Sequence, residues 1–146
     1  MIVFLRFLSL AMFLTIPVFC FGQQAPANDA GPIRSSAAYS EVLLRRTEIQ
    51  ADLEALSADY TEENPKLIDL RFELNSLDKS LEKVFGVKAS DTGKLTLALG
   101  KLIVRRAALE TDVVRLMRTY NKDHPDAKRA KRRVEIFDAA IKEILR

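Results

Sequence analysis

EVLLRRTEIQADLEALSADYTEENPKLIDLRFELNSLDKSLEKVFG, residues 41–86, and KLIVRRAALETDVVRLMRTYNKDHPDAKRAKRRVEIFDAAIKEILR, residues 101–146, align at an offset of 60 residues without a gap. Arg45 falls on Arg105, Arg46 on Arg106, Asp52 on Asp112, Leu56 on Leu116, Tyr60 on Tyr120, Pro65 on Pro125 and Asp78 on Asp138. Apolar positions fill the intervals: Leu43/Ile103, Leu44/Val104, Ile49/Leu109, Leu53/Val113, Leu74/Val134, Leu77/Phe137, Leu81/Ile141 and Val84/Ile144. A repeat that preserves apolar phase over this length marks a duplicated supersecondary unit.

Within a unit the apolar residues step by three and four. Val42, Ile49, Leu53, Leu56 and Tyr60 form one stripe, with Arg46 in phase, and Leu67, Leu70, Leu74, Leu77, Leu81 and Val84 form the next. The second unit repeats the pattern with Leu95, Leu99, Leu102, Arg106, Leu109, Val113, Leu116 and Tyr120, then Ala127, Ala130, Val134, Phe137, Ile141 and Ile144. This spacing keeps a side-chain seam on one face of a helix and is incompatible with strand alternation. The stripes break at Tyr60-Thr-Glu-Glu-Asn-Pro65 and Tyr120-Asn-Lys-Asp-His-Pro125. Proline suits the first turn of a helix, and the residue before it is pushed out of helical angles. Asn64 is the expected cap in the first unit, and Asp123 or His124 in the second.

A connection this short makes the flanking helices antiparallel neighbours. The expected fold is therefore all-α: two tandem antiparallel helical hairpins, coiled-coil-like, over residues 36–86 and 95–146. Periodicity leaves open whether they pack as one four-helix bundle or stand apart. The joining segment, residues 87–94, ends in Gly93-Lys94, and Asp91 or Thr92 is the expected start of the third helix. Pairing about the turn sets Leu56 against Leu70, Leu53 against Leu74 and Ile49 against Leu77. Arg46 then falls near Asp78, and Arg106 near Asp138, as candidate register-fixing ion pairs. Tyr60 and Tyr120 are expected to cover the open hairpin ends with buried rings.

Outward from the repeat, the N-terminus reads as a targeting segment. One basic residue, Arg6, precedes an apolar run from Phe7 to Phe21, followed by Gly22 and polar Gln23 and Gln24. That order is that of a secretory signal peptide over residues 1–22. The alternative is an uncleaved inner-membrane anchor over residues 2–21, although the run is short against the about 20 apolar residues a spanning helix needs. A lipoprotein reading of Cys20 meets the objection that bulky Phe19 precedes it. Residues 23–35 hold two prolines and a glycine and read as a flexible spacer. The expected destination is the periplasm or the extracellular space.

Charge is divided between the units. Residues 41–86 carry 6 basic and 11 acidic residues, a net of −5, whereas residues 101–146 carry 13 and 7, a net of +6. Units of opposite sign are suited to pack on one another, within a chain or head to tail between chains. The densest cluster, Lys128, Arg129, Lys131, Arg132 and Arg133, is a candidate basic face for an anionic envelope polymer or a membrane surface. No aromatic residue interleaves it, so nucleic acid is not expected.

Catalytic chemistry has little to stand on. His124 is the sole histidine and Cys20 the sole cysteine, and the turn position of His124 already explains it. Gly86 to Lys94 fails the phosphate-loop spacing, and Leu95 stands where that motif requires Ser or Thr. Glu62, Glu63 and Asp123 are turn carboxylates without a loop of alternating oxygen ligands. No enzyme activity, metal or cofactor is expected.

The Leu- and Val-stepped helix followed by Tyr-x-x-x-(Asn/His)-Pro, here Tyr60, Asn64, Pro65 and Tyr120, His124, Pro125, resembles the periplasmic coiled-coil hairpin of bacterial polysaccharide chain-length determinant proteins (polysaccharide co-polymerases). The resemblance implies an envelope location and a role in protein–protein assembly. The 146 residues contain neither a second membrane helix nor a nucleotide-binding domain, so it implies no chain-length activity. Two function classes follow. The first is an exported structural or interaction protein that self-associates or docks on a partner helix. The second is a small periplasmic binding or chaperone-like protein that uses its basic face for anionic ligands or clients.

Overall fold

A computed structural model describes residues 30–146, so the expected signal peptide, Cys20 and residues 23–29 lie outside the described residues. The described residues are all-α: α1 (Ala30–Arg34), α2 (Ala37–Ser57), α3 (Pro65–Phe85), a 3-10 segment (Ala89–Lys94), α4 (Leu97–Thr119) and α5 (Pro125–Leu145). The expected hairpins are α2–α3 and α4–α5, with turns at the two proline motifs.

The boundaries follow from capping. Ser36 Oγ accepts from the Tyr39 N–H at 3.2 Å, Asn64 Oδ1 from Lys66 at 2.8 Å, Thr96 Oγ1 from Leu99 at 3.3 Å and His124 Nδ1 from Asp126 at 3.2 Å. Pro65 and Pro125 occupy the first turns of their helices. Helix α4 starts later than Asp91 or Thr92, the residues expected to open it. Those two sit in the 3-10 segment, where the Thr92 hydroxyl donates to the Ala89 carbonyl at 3.1 Å and Asp91 lies 3.5 Å from Lys94. Leu95 precedes α4 as a buried plug whose carbonyl accepts from the Ala38 N–H at 3.2 Å.

The spacer reading is corrected over residues 30–35. There α1 forms, with Ile33 only 3 % exposed in the core. A single apolar side chain gains enough on burial, about 1.5–3 kcal/mol, to order a short segment against a ready-made surface. Arg34 also lies 5.9 Å over the Phe85 ring, which packs edge-on to Tyr39 at 5.6 Å.

The core lies between α2, α3 and α4, built from Val42, Ile49, Leu70, Leu77, Leu99 and Ile103, with Ile33 and Leu95 closing one end. The two hairpins therefore do not stand apart: α4 packs across both α2 and α3. Helix α5 leans chiefly on α4 and meets the core through Ile141, Ile144 and Leu145. Ala127 is the one α5 residue classed as fully buried, and Ile136 is 66 % exposed.

Helices α2 and α4 come close together at Gly100. A Cβ there would come 2.8 Å from Glu41 Cβ and 2.9 Å from Ala38 Cα. Only a residue without a side chain lets α4 sit this near α2.

Candidate functional site

Both repeated arginines meet their aspartates. Arg46 Nε donates to Asp78 Oδ1 at 2.7 Å, and an Arg106 guanidinium nitrogen to Asp138 Oδ1 at 3.1 Å. The two hairpins thus share one register. Their environments differ. The Arg46 side chain is 32 % exposed, whereas that of Arg106 is 11 % exposed beneath α3 and α5.

A polar layer surrounds Arg106. It bonds Glu110 Oε1 at 3.1 Å and Ser80 Oγ at 3.0 Å; Ser76 Oγ bonds the other Glu110 oxygen, and Ser80 Oγ donates to the Ser76 carbonyl at 2.8 Å. Nearby, Arg45 Nε donates to Glu73 Oε1 at 2.9 Å, with the Glu73 side chain only 8 % exposed. That hydrogen bond raises the Arg45 guanidinium above its ordinary value, against the opposing pull of burial. Asp69 of α3 takes Arg115 at 3.1 Å and also bonds Arg118, so the acidic first hairpin and basic α4 are already cross-linked within the chain. No buried side-chain nitrogen or oxygen lacks a partner among the described residues.

The turns are caps first. Tyr60 is 53 % and Tyr120 41 % exposed, so the expected burial of both rings is corrected. Each lies past the last turn of its helix, beyond the reach of the seam. Tyr120 instead stacks on the His124 ring at 4.1 Å. At the first turn Glu62 pairs with Arg71, whose guanidinium holds the carboxyl below its ordinary range. That contribution is present above the ordinary carboxylate value and is lost as pH falls through the lowered one. Asn64→Ala removes the α3 cap and is expected to cost about 1 kcal/mol of stability in urea unfolding.

The basic cluster does not form one face. Five cations in six consecutive positions of α5 spread around much of its circumference. Lys128 lies 3.3 Å from Asp123, and Arg129 pairs with Asp126. Lys131 turns toward a groove of about 790 Å³ between α3, α4 and α5, whose lining includes Phe72, Lys79, Lys83, Val113 and Val134. Arg129 and Arg133 line a smaller depression of about 450 Å³ on the opposite side, beside Asp112 and Arg115. Arg132 points to solvent.

Glu73, Ser76, Ser80, Asp69, Gly100 and Thr111 were not legible as contact residues, because they interrupt no apolar stripe. A signal existed in the repeat itself: Ser76 is polar and buried, whereas its counterpart Ile136 is apolar and exposed. Leu44 of α2, 59 % exposed, is a second large apolar residue facing out.

Among the described residues no cluster of His, Cys, Asp and Glu is arranged to hold a metal ion, and no helix is long and apolar enough to cross a membrane. Fold and surface together define an all-α tandem-hairpin protein with a polar inter-hairpin layer. No protein-family model, curated protein or solved structure matches the chain.

Proposed function

We propose that this chain is an exported cell-envelope interaction protein that works by helix-on-helix association, with itself or with a partner helix. The observation that carries the reading is that the two most exposed of the uncovered large apolar side chains among the described residues, Ile136 on α5 and Leu44 on α2, lie on hairpins of opposite net charge. Both stand in surroundings of opposite charge, acidic about α2 and basic about α5. Complementary charge steers two such surfaces together, and an apolar side chain left in water gains free energy when a contact buries it. Export is supported by the sequence of residues 1–22.

Light scattering with small-angle scattering on the full chain tests the reading. A mass above the monomer at low salt, falling as salt is raised, is the expected result. A compact monomer at every concentration and salt would instead favour the alternative, a binding or chaperone-like protein using the basic α5 cluster for anionic ligands or clients.

A further inference from the structure

Two hairpins in one register present two equivalent faces, and only one of them is covered. On the first hairpin, α4 lies over the face carrying Ala38, Asp69, Ser76 and Ser80, with buried Glu73 and its partner Arg45 in the same stretch. Sixty residues on stand Ala98, Arg105, Arg129, Arg133, Ile136 and Ala140. Ala38 is 0 % exposed and Glu73, Ser76 and Ser80 are 4–7 % exposed. Their counterparts Ala98, Arg133 and Ile136 are exposed, and Ala140 is half-buried.

The covering helix also has a counterpart. Helix α4 buries Ala107 and Thr111, at 0 % and 3 % exposed, on the side where Arg106 and Glu110 reach α3. The matching residues of α2, Thr47 and Ala51, are exposed. One end of the molecule thus carries an uncovered hairpin face, and the other an unused covering face.

The charges are matched for joining these ends. Asp69 accepts Arg115 and Arg118, whereas its counterpart is Arg129, and Ala55 of α2 and Ala58 just past its end stand where α4 has those two arginines. The cations that would repel Arg129 are therefore missing from α2. Where Ser76 meets Glu110 within the chain, Ile136 would meet uncharged Gln50. Glu48 and Glu54 of α2 supply acid toward Arg105, Arg129 and Arg133. Ser40 replaces Gly100 in the covering helix, which sets this contact slightly wider than the internal one.

Resting on the association reading above, we infer that α2 of a second copy stacks on the α4–α5 hairpin of the first as α4 stacks on α2–α3. The contact is heterologous and open, so it propagates from copy to copy.

Disulfide trapping in the full chain carrying Cys20→Ser tests it, since no other cysteine is present. By the internal approach of α4 to α2, where a Cβ at position 100 would lie 2.9 Å from Ala38 Cα, Ser40→Cys on one copy and Ala98→Cys on another should lie within disulfide reach. A mixture of the two single variants should give a cross-linked dimer under mild oxidation, and neither variant alone should. The double variant should give a ladder. Reversing Arg129 and Arg133 to glutamate should cut the dimer yield by at least about tenfold, as expected for opposed charges across a contact.

Equal trapping by one variant with itself would mean a two-fold symmetric contact and overturn the inference. Oligomers by light scattering without Ser40–Ala98 trapping would overturn it while leaving the association reading standing. A monomer at all concentrations would remove both. A monomer whose binding to polyanionic dextran sulfate depends on Arg129 and Arg133 would assign the face to an anionic polymer instead.

Discussion

Replacing Arg106 with methionine should lower the unfolding free energy by about 1–3 kcal/mol, whereas the same change at Arg46 should lower it by no more than about 1 kcal/mol. The two arginines are sequence equivalents, each paired with an aspartate 32 positions on. What differs is solvent. The Arg46 pair is open on one side, so its Coulomb energy is screened and water replaces the lost partner. Arg106 is 11 % exposed and holds Glu110, Asp138 and Ser80 together. Its removal strands the Glu110 carboxylate in a part-buried layer, and the penalty is that of an unpaired, desolvated charge. The companion variant Arg106→Met with Glu110→Gln should recover part of the loss, because neutralising the partner removes that penalty. Urea unfolding followed by circular dichroism reads all three variants; equal losses at Arg46 and Arg106 would contradict the burial argument.

Gly100→Ala should destabilise by about 1–3 kcal/mol, the range for an overpacked contact. Helix propensity alone argues the reverse, since alanine in place of a helix-interior glycine is worth about 1 kcal/mol, an upper bound for Gly100 in the first turn of α4. Packing decides the sign. The added methyl would sit 2.9 Å from Ala38 Cα and 3.0 Å from the Ala38 carbonyl oxygen, and backbone cannot swing aside as a long side chain does. Relief requires α4 to lift from α2, which opens the contact that holds the two hairpins together. Ser40→Ala, at the equivalent exposed position of the first repeat, loses only the hydroxyl's bond to the Ser36 carbonyl at 3.1 Å and is expected to change the stability of the single chain by less than about 0.5 kcal/mol. Thermal unfolding of both variants separates the effects, and a stabilised Gly100→Ala would show that the helices have room to spare.

The proposed copy-to-copy contact bears on both results. It uses a face of α4–α5 on the other side from the groove toward which Lys131 turns. A chain that loses Arg106 should therefore lose its inter-hairpin packing before it loses the outer surface of α5. Stability and association are separable readouts for this reason.

The sequence by itself determined the all-α class, the two hairpins, their common register and the proline turns. Each of these depends on local physics. Three-and-four spacing places apolar side chains on one helix face, proline and its preceding cap end and start helices, and a short turn forces antiparallel neighbours. Arg46 and Arg106 could be placed beside Asp78 and Asp138 because a hairpin turn fixes the residue count between them. The exceptions also have local causes that a stripe does not record: Ile33 ordered part of the apparent spacer, and Tyr60 and Tyr120 fell beyond their helices.

Only the tertiary structure decided that the hairpins pack on each other, that α4 bridges α2 and α3, and that α5 stands half uncovered. The physical reason is the chemistry of that interface. The seam inside each hairpin is apolar and therefore periodic in the sequence. Between the hairpins, Leu95, Leu99 and Ile103 join the core of α2 and α3, beside a polar layer of Glu73, Ser76, Ser80, Arg106 and Glu110 and the small residues Ala38, Gly100, Ala107 and Thr111. The apolar residues fit the hairpin seam equally well in the sequence, and hydrogen bonds and close backbone approach leave no stripe of their own. For that reason two equivalent faces, one covered by α4 and one open on α5, look alike in the sequence.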